Sequence, residues 1–118
     1  MTYILVTGGR SYPDRERAFA ELDQRAPDLV LHGGATGADR HAGQWADERG
    51  IPCLSMPAPW KGLKRAAGPT RNGWLLAVAM RLAKDRVRLV VLAFPGGDGT
   101  ADMVRRARAE GVDVEVIP

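Results

Sequence analysis

Three glycine clusters carry the residue types and spacing for chemistry: Thr7-Gly8-Gly9-Arg10-Ser11, His32-Gly33-Gly34-Ala35-Thr36-Gly37 and Pro95-Gly96-Gly97-Asp98-Gly99-Thr100. Each follows a short apolar run. Glycine admits positive φ and lets a ligand approach the main chain closely. The second and third clusters lead into segments with helical spacing. A ligand there meets free N–H groups and the positive end of a helix dipole, a combination that suits phosphate. Ser11, Thr36 and Thr100 add hydroxyl donors. Arg10 follows the first glycine pair, and Arg71 opens a helix just after Gly68-Pro69. A guanidinium fork holds phosphate bidentately. No cluster reads G-x-G-x-x-G with an acid ~20 positions on, and none reads G-x-x-x-x-G-K-[ST], which disfavours ordinary dinucleotide dehydrogenases and P-loop NTPases.

The remaining polar residues have plainer roles available to them. Asp98 is the kind of residue turns favour. Asp102 suits a first helical turn, compensating the dipole and pairing with Arg106 at i+4. Asp39 has the same plain reading. Asp14 reads as an N-cap. His32 ends a strand, where a core or backbone-bonded histidine is expected, and His41 reads as a surface helix residue. Cys53 reads as a small buried hydrophobe. Trp74 reads as packing, whereas Trp60 either stacks on a base or covers the sheet edge.

The elements that must position these groups alternate. Strands are predicted at Tyr3–Thr7, Leu29–His32, Ile51–Met56, Val87–Phe94 and Val112–Ile117, from apolar and β-branched runs. Helices are predicted over Asp14–Arg25, 38–49, 70–84 and Thr100–Glu110, from i, i+4, i+7 apolar spacing. Gly50 stands where a left-handed C′ residue belongs. Residues 57–69 read as a long loop, of a length that is usually functional or mobile. The fold class expected is α/β: a Rossmann-like three-layer sandwich. It has a five-stranded parallel sheet, order 3-2-1-4-5, with helices on both faces and right-handed crossovers. All three clusters then lie at carboxyl ends of strands, with strands 1 and 4 adjacent at the switch point where ligands bind.

The chain has 118 residues and a formal charge of +3. Residues 1–118 are expected to form one domain, with enough length for a core without staples. A single cysteine excludes an intrachain disulfide or a Cys-rich zinc site, and no metal site is expected. No run is long and apolar enough for a membrane span, and Met1–Thr7 does not resemble a signal peptide, so a cytoplasmic location is expected. The charge is local. Residues 49–84 contain no acid and seven basic residues, Arg49, Lys61, Lys64, Arg65, Arg71, Arg81 and Lys84, while both flanks are slightly acidic. The basic loop is therefore expected beside the glycine clusters, as a cover for an anionic small molecule. Helix 70–84 carries the apolar run Trp74–Met80, which predicts an outer face that pairs two copies of the chain.

Four blocks in order resemble the SLOG superfamily of DprA- and LOG-like Rossmannoid proteins, most closely its YspA/YpsA-related branch. They are Val6–Arg10, His32–Asp39, Ala67–Asn72 and Pro95–Met103. The resemblance implies a nucleotide or nucleotide-derived ligand such as an ADP-ribose or NAD derivative, occurrence in bacteria and phages, and frequent dimers. LOG enzymes cleave the N-glycosidic bond of nucleoside 5′-monophosphates with the signature P-G-G-x-G-T-x-x-E. In this sequence Met103 stands at the catalytic Glu position, and Asp102 is one residue early, ~100° round the helix. Arg71-Asn72 resembles the family's Arg at the start of the matching helix. The block around Asp39 offers a ribose or base contact beside the plainer reading.

The expected ligand-binding set is therefore Gly8, Gly9, Arg10, Gly33, Gly34, Thr36, Gly37, Asp39, Arg71, Asn72, Gly96, Gly97, Gly99 and Thr100. The expected function is binding of a phosphorylated, nucleotide-like ligand as a sensor or ligand-binding protein, with no resident cofactor assigned. A phosphoribohydrolase using a substitute acid, Asp39 or Asp98, is the first alternative. Single-stranded nucleic-acid binding through Lys61, Lys64, Arg65 and Trp60, as in DprA-like proteins, is the second.

Overall fold

Five short strands alternate with helices along the whole chain, and the computed structural model describes residues 1–118. The strands are β1 (Thr2–Thr7), β2 (Leu29–His32), β3 (Cys53–Ser55), β4 (Arg88–Ala93) and β5 (Asp113–Val116). The helices are α1 (Arg15–Arg25), α2 (Ala38–Arg49), α3 (Trp60–Leu63), α4 (Ala67–Leu82) and α5 (Asp98–Ala109), with a 3-10 turn at Lys64–Ala66. The sheet order is β3-β2-β1-β4-β5 and every pairing is parallel, the expected doubly wound architecture.

Strand alternation divides the core into two layers. Ile4 and Val6 point to one face with Val30, Val90, Leu92 and Phe94, packing on Ala18, Leu22, Ala42, Trp45 and Ala46 of α1 and α2. Leu5, Leu31 and Val91 point to the other, packing on Leu75, Leu76 and Ala79 of α4 and Met103 and Ala107 of α5. Each fully buried aliphatic side chain contributes roughly 2 kcal/mol relative to exposure. Asp14 caps α1 as expected, accepting from Arg17 N at 2.9 Å. Gly50 ends α2 with φ 67°.

Residues 57–69 differ from expectation. Instead of a loop they hold α3, the 3-10 turn and the first turn of α4. Gly68-Pro69 reads as a break in sequence. In the structure Pro69 sits in the first turn of α4, where a helix has no partner for an N–H and proline is tolerated. Cys53 is exposed rather than buried, because β3 is a three-residue edge strand. Trp74 is half exposed rather than packed. His41 is partly buried rather than on the surface: its Nε2 donates to Tyr12 O at 2.8 Å, and its ring meets Tyr12 edge-on. No helix is long and apolar enough to cross a membrane.

Candidate functional site

The carboxyl ends of β1, β2 and β4 bring the three glycine turns together, and one residue joins them. Gly9 N donates to Pro95 O at 2.9 Å, while Gly9 O accepts from Ala38 N at 3.2 Å and Tyr12 N at 3.1 Å. The turns meet at main-chain distance. A Cβ on Gly37, whose φ is +72°, would lie 2.1 Å from Gly9 O, and one on Gly96 would lie 2.6 Å from Gly9 N. These two glycines are required by the contact between loops.

A cavity of about 440 Å³ opens over this junction. Its floor is Thr7, Gly8 and Gly9, and its far wall is Gly97, Asp98, Gly99 and Thr100 at the start of α5. That helix end has no side-chain cap. Its first N–H groups lack helical partners and face a space able to take an acceptor. Arg10, Arg65 and Arg71 line the other sides with Trp60, and the Arg10 guanidinium lies over the Trp60 ring at 4.7 Å from its centroid. The cavity is of the size small-molecule sites use, ~300–1,000 Å³.

Arg71 and Asn72 tie the walls together. Arg71 Nη1 donates to Gly33 O and to Met56 O, the latter at 3.2 Å, and its Nε donates to Asn72 Oδ1 at 3.1 Å. Asn72 Nδ2 donates onward to Gly99 O at 3.1 Å and Asp102 Oδ2 at 3.0 Å. Asp102 also accepts from Arg105 and Arg106, so its expected i+4 partner is present within a larger network. Burial pushes the Asp102 carboxyl up, but the bonds from Asn72 and Arg106 outweigh it and hold it below the ordinary range. Asp102 is therefore an ionised anchor.

Asp39 is 5% exposed, and its Oδ2 accepts from Gly33 N at 3.1 Å and Ala35 N at 3.2 Å. Burial pushes its carboxyl up to about 6, against the pull of the Ala35 bond and the Arg71 charge. His32 is buried, and Nδ1 accepts from Gly34 N at 2.9 Å. Burial, then the Arg71 charge, lowers its pKa, so the ring is neutral and backbone-bonded as the sequence suggests.

Of the expected ligand contacts, Gly8, Gly9, Arg10, Asp39, Arg71, Asn72, Gly97, Gly99 and Thr100 line the cavity. Gly33, Gly34, Thr36, Gly37 and Gly96 do not line it and instead shape the turns. Thr36 Oγ1, for example, donates to Arg10 O at 2.9 Å. Asp98 lies at the rim, exposed. Thr7, Ala35, Arg65, Gly68, Pro69 and Asp102 also line the space. Arg65 stands in the acid-free segment, and the others fall inside the four blocks quoted above without being singled out as ligand contacts. Met103 is 1% exposed and belongs to the core beneath α5. Lys61 and Lys64 are exposed outside the cavity wall.

This fold and site define a Rossmann-like α/β protein with an open cavity of small-molecule size at its topological switch point. The family model described as YspA, cpYpsA-related SLOG family matches residues 2–62. Gene 61 protein of Mycobacterium phage D29 is 35% identical over 127 residues, spanning 97% of this chain and 94% of that protein. The X-ray structure of TM1055, a structural-genomics target, superposes with TM-score 0.69 at 21% identity, over 97% of this chain and 72% of that one. The chain belongs to the YspA, cpYpsA-related SLOG family.

Proposed function

We propose that this protein binds a nucleotide or nucleotide-derived ligand, of the AMP, ADP-ribose or NAD type, with a phosphate seated on the first turn of α5. The observation that carries this reading is the uncapped α5 end facing a cavity whose other walls hold Arg10, Arg65, Arg71 and Trp60. Phosphate oxygens accept from the first N–H groups of α5, the dipole favours their charge, and Arg71 supplies a fixed donor beside them. Trp60 offers a ring for a base once Arg10 turns from it to phosphate. Saturating ligand at ~100 Kd stabilises the fold by ~2.7 kcal/mol, a rise of roughly 10 °C in Tm. No rise with AMP, ADP-ribose, NAD or inorganic phosphate overturns the reading.

Binding without cleavage is the form we favour. Glycosidic hydrolysis needs a carboxylate beside the oxocarbenium-like centre. Met103 is buried in the core, and Asp102 is spent on three donors. Free base released from AMP or NAD by the purified protein would refute this part. Tight binding of a single DNA strand that weakens steeply with salt would instead favour the nucleic-acid alternative.

We infer that a second copy of the chain is the protein partner, through α4. Half-exposed Trp74 stands beside a groove of about 420 Å³ lined by Gly73, Leu76, Ala77 and Met80. Arg106, Ala109 and Glu110 at the end of α5 complete the groove, so one α4–α5 face supplies both knob and hole, as a two-fold contact requires. Sedimentation velocity should give a dimer for the native chain and a monomer for Trp74→Lys; a monomeric native chain refutes it.

A further inference from the structure

Asp39 does more than its turn requires. Both main-chain bonds fall on Oδ2. Oδ1 has no protein partner, and it is not sealed from solvent, because the one buried unpaired side-chain polar atom is His41 Nδ1. Asp39 lines the cavity, so an otherwise buried carboxylate shows its free oxygen to that space. Anchoring Gly33 and Ala35 needs one acceptor oxygen, which an asparagine would supply without the cost of burying charge. The second, charged oxygen is left for something else.

Its neighbour narrows what that is. Gly33 donates its N–H to Asp39 and accepts at its carbonyl from Arg71 Nη1. A Cβ at Gly33 would lie 2.2 Å from that nitrogen. The bonds of Arg71 use Nη1 and Nε, leaving Nη2 free. One glycine thus fixes an anionic acceptor and a cationic donor side by side on the cavity lining. The acceptor repels phosphate oxygen and takes O–H or N–H. In a phosphorylated nucleoside the first such donor along from the phosphate is a sugar hydroxyl.

We propose that Asp39, with Arg71 held beside it through Gly33, forms a pentose subsite in which Asp39 Oδ1 accepts a ribose hydroxyl. This rests on the phosphate reading above and adds a selectivity that reading does not contain: ribonucleotides over deoxyribonucleotides. A site built around a hydrogen bond rejects the analogue that lacks it, and a bond to a charged acceptor is worth roughly 10- to 100-fold in affinity.

Titration calorimetry on the full chain tests it with five probes: inorganic phosphate, AMP, 2′-deoxy-AMP, 3′-deoxy-AMP and inosine monophosphate. The expected result is that one deoxy analogue binds at least ~10-fold more weakly than AMP, while inosine monophosphate matches AMP. In Asp39→Asn, which keeps an acceptor for Gly33 and Ala35, the discrimination should collapse to within about threefold. If AMP and both deoxy analogues bind alike, the subsite is refuted and the phosphate reading stands. A loss confined to inosine monophosphate assigns the oxygen to a base amine and also refutes it. If no probe binds, inorganic phosphate included, it is the phosphate reading that fails. The native-chain comparison decides the matter even if Asp39→Asn does not fold.

Discussion

The turns before α2 and α5 are spelled alike and behave differently. Gly33-Gly34-Ala35-Thr36-Gly37-Ala38-Asp39 and Gly96-Gly97-Asp98-Gly99-Thr100-Ala101-Asp102 share Gly-Gly, three residues, then Ala-Asp. In the first, the helix waits until Ala38, its leading N–H is taken by Gly9 O, and Asp39 reaches back to the Gly33 and Ala35 N–H groups of the preceding turn. In the second, the helix begins at Asp98, its end has no side-chain cap, and Asp102 is already a turn along, bonded to Asn72, Arg105 and Arg106. The difference lies at the fifth position. Gly37 takes φ +72° and postpones the helix, whereas Thr100 continues it. Neither helix has a side-chain cap, but the first N–H of α2 is engaged by Gly9 O while the first turn of α5 opens on the cavity.

The sharpest way to break this comparison is alanine at the paired turns. Gly37→Ala places a methyl against Gly9 O at a positive φ, and about 3 kcal/mol or more of stability should be lost in urea unfolding. Gly99→Ala meets nothing within 4 Å, so it should be neutral or stabilise by a few tenths of a kcal/mol. Equal losses would show that the two turns are not built differently.

The two aspartates should also respond oppositely to pH. The folded-state pKa of Asp39 is raised to about 6 from 3.8, so the stability tied to its proton is complete below that lower value and disappears as pH climbs through 6. The difference is about 3 kcal/mol across the window. Asp39→Asn should remove this decline, gaining most on the native chain near neutral pH. Asp102 is held below the ordinary range, so its contribution is present above that range and is lost on acidification below it. Asp102→Asn should flatten only the acid limb. Urea unfolding of the three proteins across about pH 3–8 separates the slopes.

The smallest effect concerns the start of α5 itself. Asp98 sits exposed in the first turn of α5, where its charge competes with an incoming phosphate. Asp98→Asn should tighten inorganic phosphate about two- to threefold by calorimetry. Weaker binding would move the anion away from α5.

Strand–helix alternation made the doubly wound order legible, and periodicity the bounds of β2 and α2, because both faces of the sheet are buried and α2 shows one apolar stripe. The start of α4 was hidden, since Gly-Pro marks a loop in most settings and Pro69 falls in the first helical turn. Cys53 reads as buried because its sequence neighbours are apolar, while β3 lies at the sheet edge and leaves it exposed. At the site, Arg10, Arg71 and the glycine turns were visible as types and spacings. The open oxygen of Asp39 was not, because it depends on which carboxylate oxygen the returning chain of Gly33 and Ala35 engages. The burial of Met103 was equally invisible, being set by how α5 rolls onto β4.

Closing three turns through the single residue Gly9 leaves no slack between them. The loops of this protein are therefore not modular. A turn grafted from a relative will fit only if its two companions are exchanged with it, so ligand preference must drift by concerted change across widely separated stretches of chain.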